Sequence, residues 1–135
     1  MIRTFIIPLL AAILMAIIGG FYDFLILEEG SKIPEWSKWF GNGIEIAVVW
    51  LVCFLFRKRI KPFELIVLFV ITLIVWNISH DMTLGYLLIG NIFHLGNAGF
   101  DKFMGEIFQN SGILYTSIRV FVLIIASGWY FSYSS

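Results

Sequence analysis

Four stretches of the chain stay apolar long enough to cross a bilayer, and short polar segments separate them. A hydrocarbon core of ordinary thickness asks for roughly 20 helical residues at a rise of about 1.5 Å each. The pattern predicts spans over Thr4–Leu27, Trp39–Phe56, Pro62–Met82 and Ser111–Tyr130. The third, PFELIVLFVITLIVWNISHDM, carries His80 and Asp81 at its end, with Asn77 at i and these two at i+3 and i+4, which reads as one helix face.

An apolar but interrupted segment, about 84–110, joins the third and fourth spans. Its first part, 84–97, is punctuated by Gly85, Gly90, Asn91, His94 and Gly96 and is too short for another span. It reads as an extension of the third helix or a re-entrant piece covered by protein or water. From Asn97 to Asn110, Phe100, Phe103, Met104, Ile107 and Phe108 recur at helical spacing, with Asp101, Lys102, Glu106 and Gln109 on other faces. That is an amphipathic helix, lying in the interface or packed as a lid on the bundle. The expected fold class is therefore an all-α integral membrane protein: four transmembrane helices in a small bundle, with an extracytoplasmic interfacial helix between helices 3 and 4. Residues 1–135 form a single membrane domain, with no repeat and no separate soluble unit.

Composition supports the same class. The chain is 60% hydrophobic and 13% charged, against about 45–50% and about 25% in soluble domains. The opening Met1-Ile2-Arg3 is compatible with a signal peptide, but the apolar run continues to about Leu27, so it is expected to be a retained first span. Net charge is zero, which gives no reason to expect a nucleic-acid partner. The lone Cys53 lies in an apolar run and reads as a small buried hydrophobe.

Where the charges fall says more. Arg57-Lys58-Arg59-Ile60-Lys61 is a short basic loop between two spans, the mark of a cytoplasmic loop. Both termini are then cytoplasmic, in what reads as a bacterial inner membrane, and the polar link Glu28–Lys38 is external. Trp36, Trp39 and Phe40 follow as interfacial anchors. Glu64, beside Lys61, reads as a solvated boundary acid.

On this topology the polar residues inside the spans gather in the outer half. Ala12, Ala16 and Gly20 form a smooth packing stripe that Asp23 continues. Glu45 stands one turn after Gly41, with only apolar residues behind it to Phe56. Arg119, one turn after Tyr115, is too deep to snorkel and should find a carboxylate, Glu45 first and Asp23 second.

Three functions fit such a constellation. In the first, Asp23, Glu45 and His80 hold a divalent metal (zinc, iron or manganese), as helix bundles do with inward carboxylates and histidines. Asp81 or His94 would then serve as a further ligand or base, and Tyr115 and Arg119 would stabilise negative charge on a lipid or membrane-associated substrate. No HExxH, paired-cysteine or Gly-Xaa-Ser-Xaa-Gly motif accompanies them. In the second, the groups pair to hold the helices together in a non-catalytic subunit of a larger membrane complex or homo-oligomer, Glu45 with Arg119 and Asn77 with Tyr115. In the third, the acids relay protons or cations. Membrane lipids are partners in every case.

Overall fold

A computed structural model of the protein describes residues 2–28, 35–94 and 99–134. Most of the polar link, with Gly30 and Pro34, lies outside the described residues, as do Gly96, Asn97 and the side chains of Phe100, Asp101 and Lys102. The described chain is all helical: α1 (Ile2–Glu28), α2 (Glu35–Leu55), a 3-10 turn (Arg57–Arg59), α3 (Pro62–Ile89), α4 (Gly99–Ile107) and α5 (Gly112–Ser134). Among these residues, α1, α2, α3 and α5 are long and apolar enough to cross a membrane.

The organising helix is α3, which touches α1, α2 and α5, while α2 also packs on α1. The helices meet along rows spaced four residues apart, the ridge that favours close interlocking. On α3 the buried row is Glu64, Leu68, Thr72, Trp76 and His80; on α1 it is Thr4, Pro8, Ala12, Ala16 and Gly20; on α2 it is Glu45, Val49 and Cys53. Small residues on α1 bring its backbone against α3. A Cβ at Gly20 would stand 2.9 Å from Thr83 Cβ and 3.1 Å from the His80 carbonyl oxygen.

Two apolar layers stack along this axis. One holds Phe5, Cys53, Leu68, Ile71 and Tyr130 near the basic turn; the next holds Ala12, Ala16, Val49, Val75 and Trp76. Cys53 is fully buried, 3.8 Å from the hydroxyl of Thr72, which donates to the Leu68 carbonyl. Asp23, Glu45 and His80 sit beyond the second layer, whereas Thr4, Glu64 and Thr72 are buried on the side of the basic turn.

The ends of α3 differ from expectation. At its start Pro62 occupies the first helical position, and the Lys61 N–H donates to Glu64 Oε2 at 3.0 Å. Glu64 is thus a buried cap, not a solvated acid. At the other end no break occurs at Met82. The helix runs to Ile89 because Leu84–Ile89 offers apolar residues and no proline, so the extension reading holds for that part of the 84–97 segment. It stops at Gly90, whose φ of +68° suits a residue without Cβ, with the Gly90 N–H on the Tyr86 carbonyl and the Asn91 N–H on that of Gly85. His80 and Asp81 therefore lie about two turns inside the helix.

The turn after α3 seats on the start of α5. Gly112 lies so close to the Phe93 carbonyl that a Cβ would overlap it. Between α4 and α5, Gln109 and Asn110 adopt left-handed φ values of 52° and 57°, and the Asn110 N–H closes on the Gly105 carbonyl at 2.7 Å. Ser111 then caps α5, its hydroxyl accepting from the Leu114 N–H at 3.2 Å. On α4, Phe103 and Ile107 are exposed, while Met104 and, just after the helix, Phe108 are half-buried, so only part of the predicted apolar stripe meets protein.

Candidate functional site

The buried row of α3 and its neighbouring face build the site. Successive helical residues turn by about 100°, so His80 points roughly 60° from Asn77 and 100° from Asp81. That divergence is enough to split a face read as common. His80 turns to α1, while Asn77 and Asp81 turn to α5.

On the α1 side, His80 Nε2 lies 3.2 Å from Asp23 Oδ2. Both side chains are almost wholly buried. Asp23 reaches this position because the small-residue stripe below it lets α1 run close to α3. On the other side of the ring, His80 Nδ1 stands 3.8 Å from Asp81 Oδ1. The imidazole therefore lies between two carboxylates, one from another helix and one from its own.

Asp81 continues the chain of contacts to α5. Arg119 Nη1 donates to Asp81 Oδ2 and to Asn77 Oδ1, each at 2.5 Å, and Nη2 donates to the Thr116 hydroxyl at 3.3 Å. The guanidinium carbon stands 3.9 Å from the centre of the Tyr115 ring, and Tyr115 in turn packs against Phe108 at 5.3 Å. The expected partners of Arg119 were Glu45 and Asp23. The structure gives Asp81 and Asn77 instead, because the helix that packs most extensively against α5 is α3. Across that seam an arginine meets what α3 turns toward it. Asn77 Oδ1 likewise accepts from Arg119.

Glu45 is engaged elsewhere. Trp76 Nε1 donates to Glu45 Oε2 at 2.9 Å, and the carboxylate lies over Gly19, where a Cβ would overlap it. The Trp76 ring also packs against His80, with centres 5.1 Å apart. Trp76 was not assigned a role from sequence, although its place one turn before His80 on the buried row is a legible signal. Gly19 and Thr116 were missed too, and nothing in their local sequence marks them.

Asp23, Glu45, His80, Asp81, Tyr115 and Arg119 are thus joined through Trp76 and Asn77 into one network drawing on α1, α2, α3 and α5, buried on the α1 side and partly exposed at Asp81 and Arg119. His94 is not. It lies in the turn after α3, its Cβ close to Gly85, and among the described residues no hydrogen bond or ion pair links it to the network. The metal set does not form either. Among the described residues no three histidine, cysteine, aspartate or glutamate side chains are grouped to hold an ion. Asp23 and His80 face each other, and Glu45 is turned to Trp76.

Comparison with protein-family models, curated proteins and solved structures finds no match to this chain.

Chemically, the network has the parts of a proton relay. An imidazole with a carboxylate at each nitrogen can accept a proton on one side and release it on the other. An open apolar groove runs beside it between α1 and α3, lined by Ile17, Ile18, Phe21, Met82, Thr83, Tyr86, Leu87 and Ile92. None of the network's charged side chains lines that groove.

Proposed function

We propose that this is a small polytopic membrane protein that binds and releases protons through the Asp23–His80–Asp81 relay. The observation that carries this reading is the buried imidazole between two carboxylates, with Arg119 anchoring the farther one. Ionisable groups so deep in an apolar helix bundle are expensive to keep, and proton pathways are a recurrent use of them. The relay bridges α1 to α3 and α3 to α5. A proton arriving at or leaving His80 alters the attraction across both seams, so proton binding is coupled to helix packing.

By the positive-inside rule the Arg57–Lys61 turn faces the cytoplasm, both termini lie there, and the relay opens to the external side of a bacterial inner membrane. The layer of Phe5, Leu68, Ile71 and Tyr130 then lies between the relay and the cytoplasm. Proton exchange at rest is one-sided, and translocation needs that layer to part. Helix α4, with Phe103 and Ile107 outward, suits the external interface. The exposed apolar faces of α2 and α5 favour lipid or partner helices as neighbours, which keeps a subunit role in a larger assembly as the second reading. Metal-dependent hydrolysis of a lipid has less support: the ligand donors are turned to other partners, and the groove that suits an acyl chain is lined by apolar residues.

The test is proton movement in proteoliposomes loaded with a pH-sensitive dye under an imposed potential, with proton uptake by the detergent-solubilised protein measured in parallel. Wild type should show uptake that His80→Ala and Asp23→Asn abolish while helical content is retained. Uptake and flux equal to those of empty liposomes and of the His80→Ala protein would overturn the reading.

A further inference from the structure

The opposite pole of the bundle has its own chemistry. Five of the nine basic residues, Arg3, Arg57, Lys58, Arg59 and Lys61, fall in the segments that end there, against Glu64 alone among the nine acids. Glu64 is buried and closes the start of α3, with its other oxygen 4.0 Å from Lys61 Nζ. Among the described residues no carboxylate pairs with Arg57, Lys58 or Arg59, all of them exposed.

Aromatic rings flank the basic turn on both sides. Arg57 lies over the Phe54 ring at 4.1 Å, and Lys61 lies over Tyr133 at 5.4 Å. On the α3–α5 seam just below, Phe63 packs edge-on against Trp129 at 5.1 Å and against Tyr133 at 5.7 Å. All three rings are about half exposed. The result is a cationic rim over an aromatic ledge that runs down the apolar flank of two helices.

The geometry points to a binding site for one anionic phospholipid, its phosphate on the Arg57–Lys61 turn and an acyl chain along Phe63, Trp129 and Tyr133. Charge complementarity selects the headgroup. A zwitterionic lipid offers the same chain but no net charge to a rim where, among the described residues, Arg57, Lys58 and Arg59 have no acid beside them. Juxtamembrane basic residues each contribute about 1 kcal/mol toward an anionic surface, a factor of about five. The ledge adds a fixed place for the chain, and cationic side chains held over rings are already oriented toward the headgroup plane. This inference is independent of the relay, which lies at the other pole.

The protein has five tryptophans, so the readout is the part of the fluorescence lost in Trp129→Phe. In nanodiscs, phosphatidylglycerol brominated high on its chains should quench that component at least about fivefold more effectively than equally brominated phosphatidylcholine. Arg57→Gln/Lys58→Gln/Arg59→Gln should bring the two lipids to equality with helical content unchanged, and Lys102→Gln should leave the preference intact. High salt on the wild-type protein should erase the preference as well, which tests the charge term without any substitution. Equal quenching by the two lipids in wild type, or a preference that survives both the triple substitution and salt, would overturn the site.

Discussion

Removing the Arg119 guanidinium tests the arrangement of the network most directly. Its side chain is 12% exposed and its carboxylate partner Asp81 23% exposed, so the pair is mostly but not wholly shielded. Arg119→Gln strips the charged donor from both Asp81 Oδ2 and Asn77 Oδ1. Breaking a fully buried ion pair from one side costs about 3–5 kcal/mol, and partial exposure of Asp81 brings the expectation to about 2–3 kcal/mol. Asp81→Asn should cost less, about 1–2 kcal/mol, because Arg119 keeps Asn77, Thr116 and the Tyr115 ring. The double variant should fall short of the sum by about 1–2 kcal/mol, since the second substitution removes a group already stranded by the first. Cys53 supplies the assay. It is the sole cysteine and fully buried, so a fluorogenic maleimide in detergent reacts as the bundle opens and reports each variant's stability against denaturant. Additive losses for Arg119→Gln and Asp81→Asn, together with strong coupling of Arg119→Gln to Glu45→Gln, would refute the pairing and restore the partner expected from sequence.

Other expectations follow from single contacts. Trp76→Phe removes the donor to Glu45 while keeping an aromatic ring over His80, and should destabilise by about 1–3 kcal/mol in the same thiol assay; an unchanged stability would mean that Glu45 has another partner. Gly19→Ala drives a methyl into the Glu45 carboxylate and should cost about 1–3 kcal/mol, whereas Gly43→Ala, where a Cβ meets nothing, should be neutral or slightly stabilising. Gly90→Ala forces a side chain into a left-handed φ and should cost about 1 kcal/mol, loosening the turn that seats on α5, which hydrogen exchange at 90–94 would register.

The hydrophobic pattern alone determined that the chain is helical and that four of its helices are long and apolar enough to span a membrane, because span length is set by rise per residue and composition acts locally. It also determined which face of α1 would be packed: Ala12, Ala16 and Gly20 announce a close helix contact wherever the partner comes from. Asp23, riding on that stripe, was readable as buried for the same reason. What the sequence left open was which helix each polar face would meet. Asn77, His80 and Asp81 look like one face in projection, yet two neighbours divide the angle between them, sending His80 to α1 and the other two to α5. Arg119 was expected to meet Glu45 or Asp23, and only the docking of α5 on α3 selected Asp81. The split of Glu45 toward Trp76 depended on the missing Cβ at Gly19, a steric fact with no local signature. Tertiary structure decided the pairings because ion pairs and hydrogen bonds act over a few ångströms, and that scale is fixed by helix docking, not by spacing along the chain.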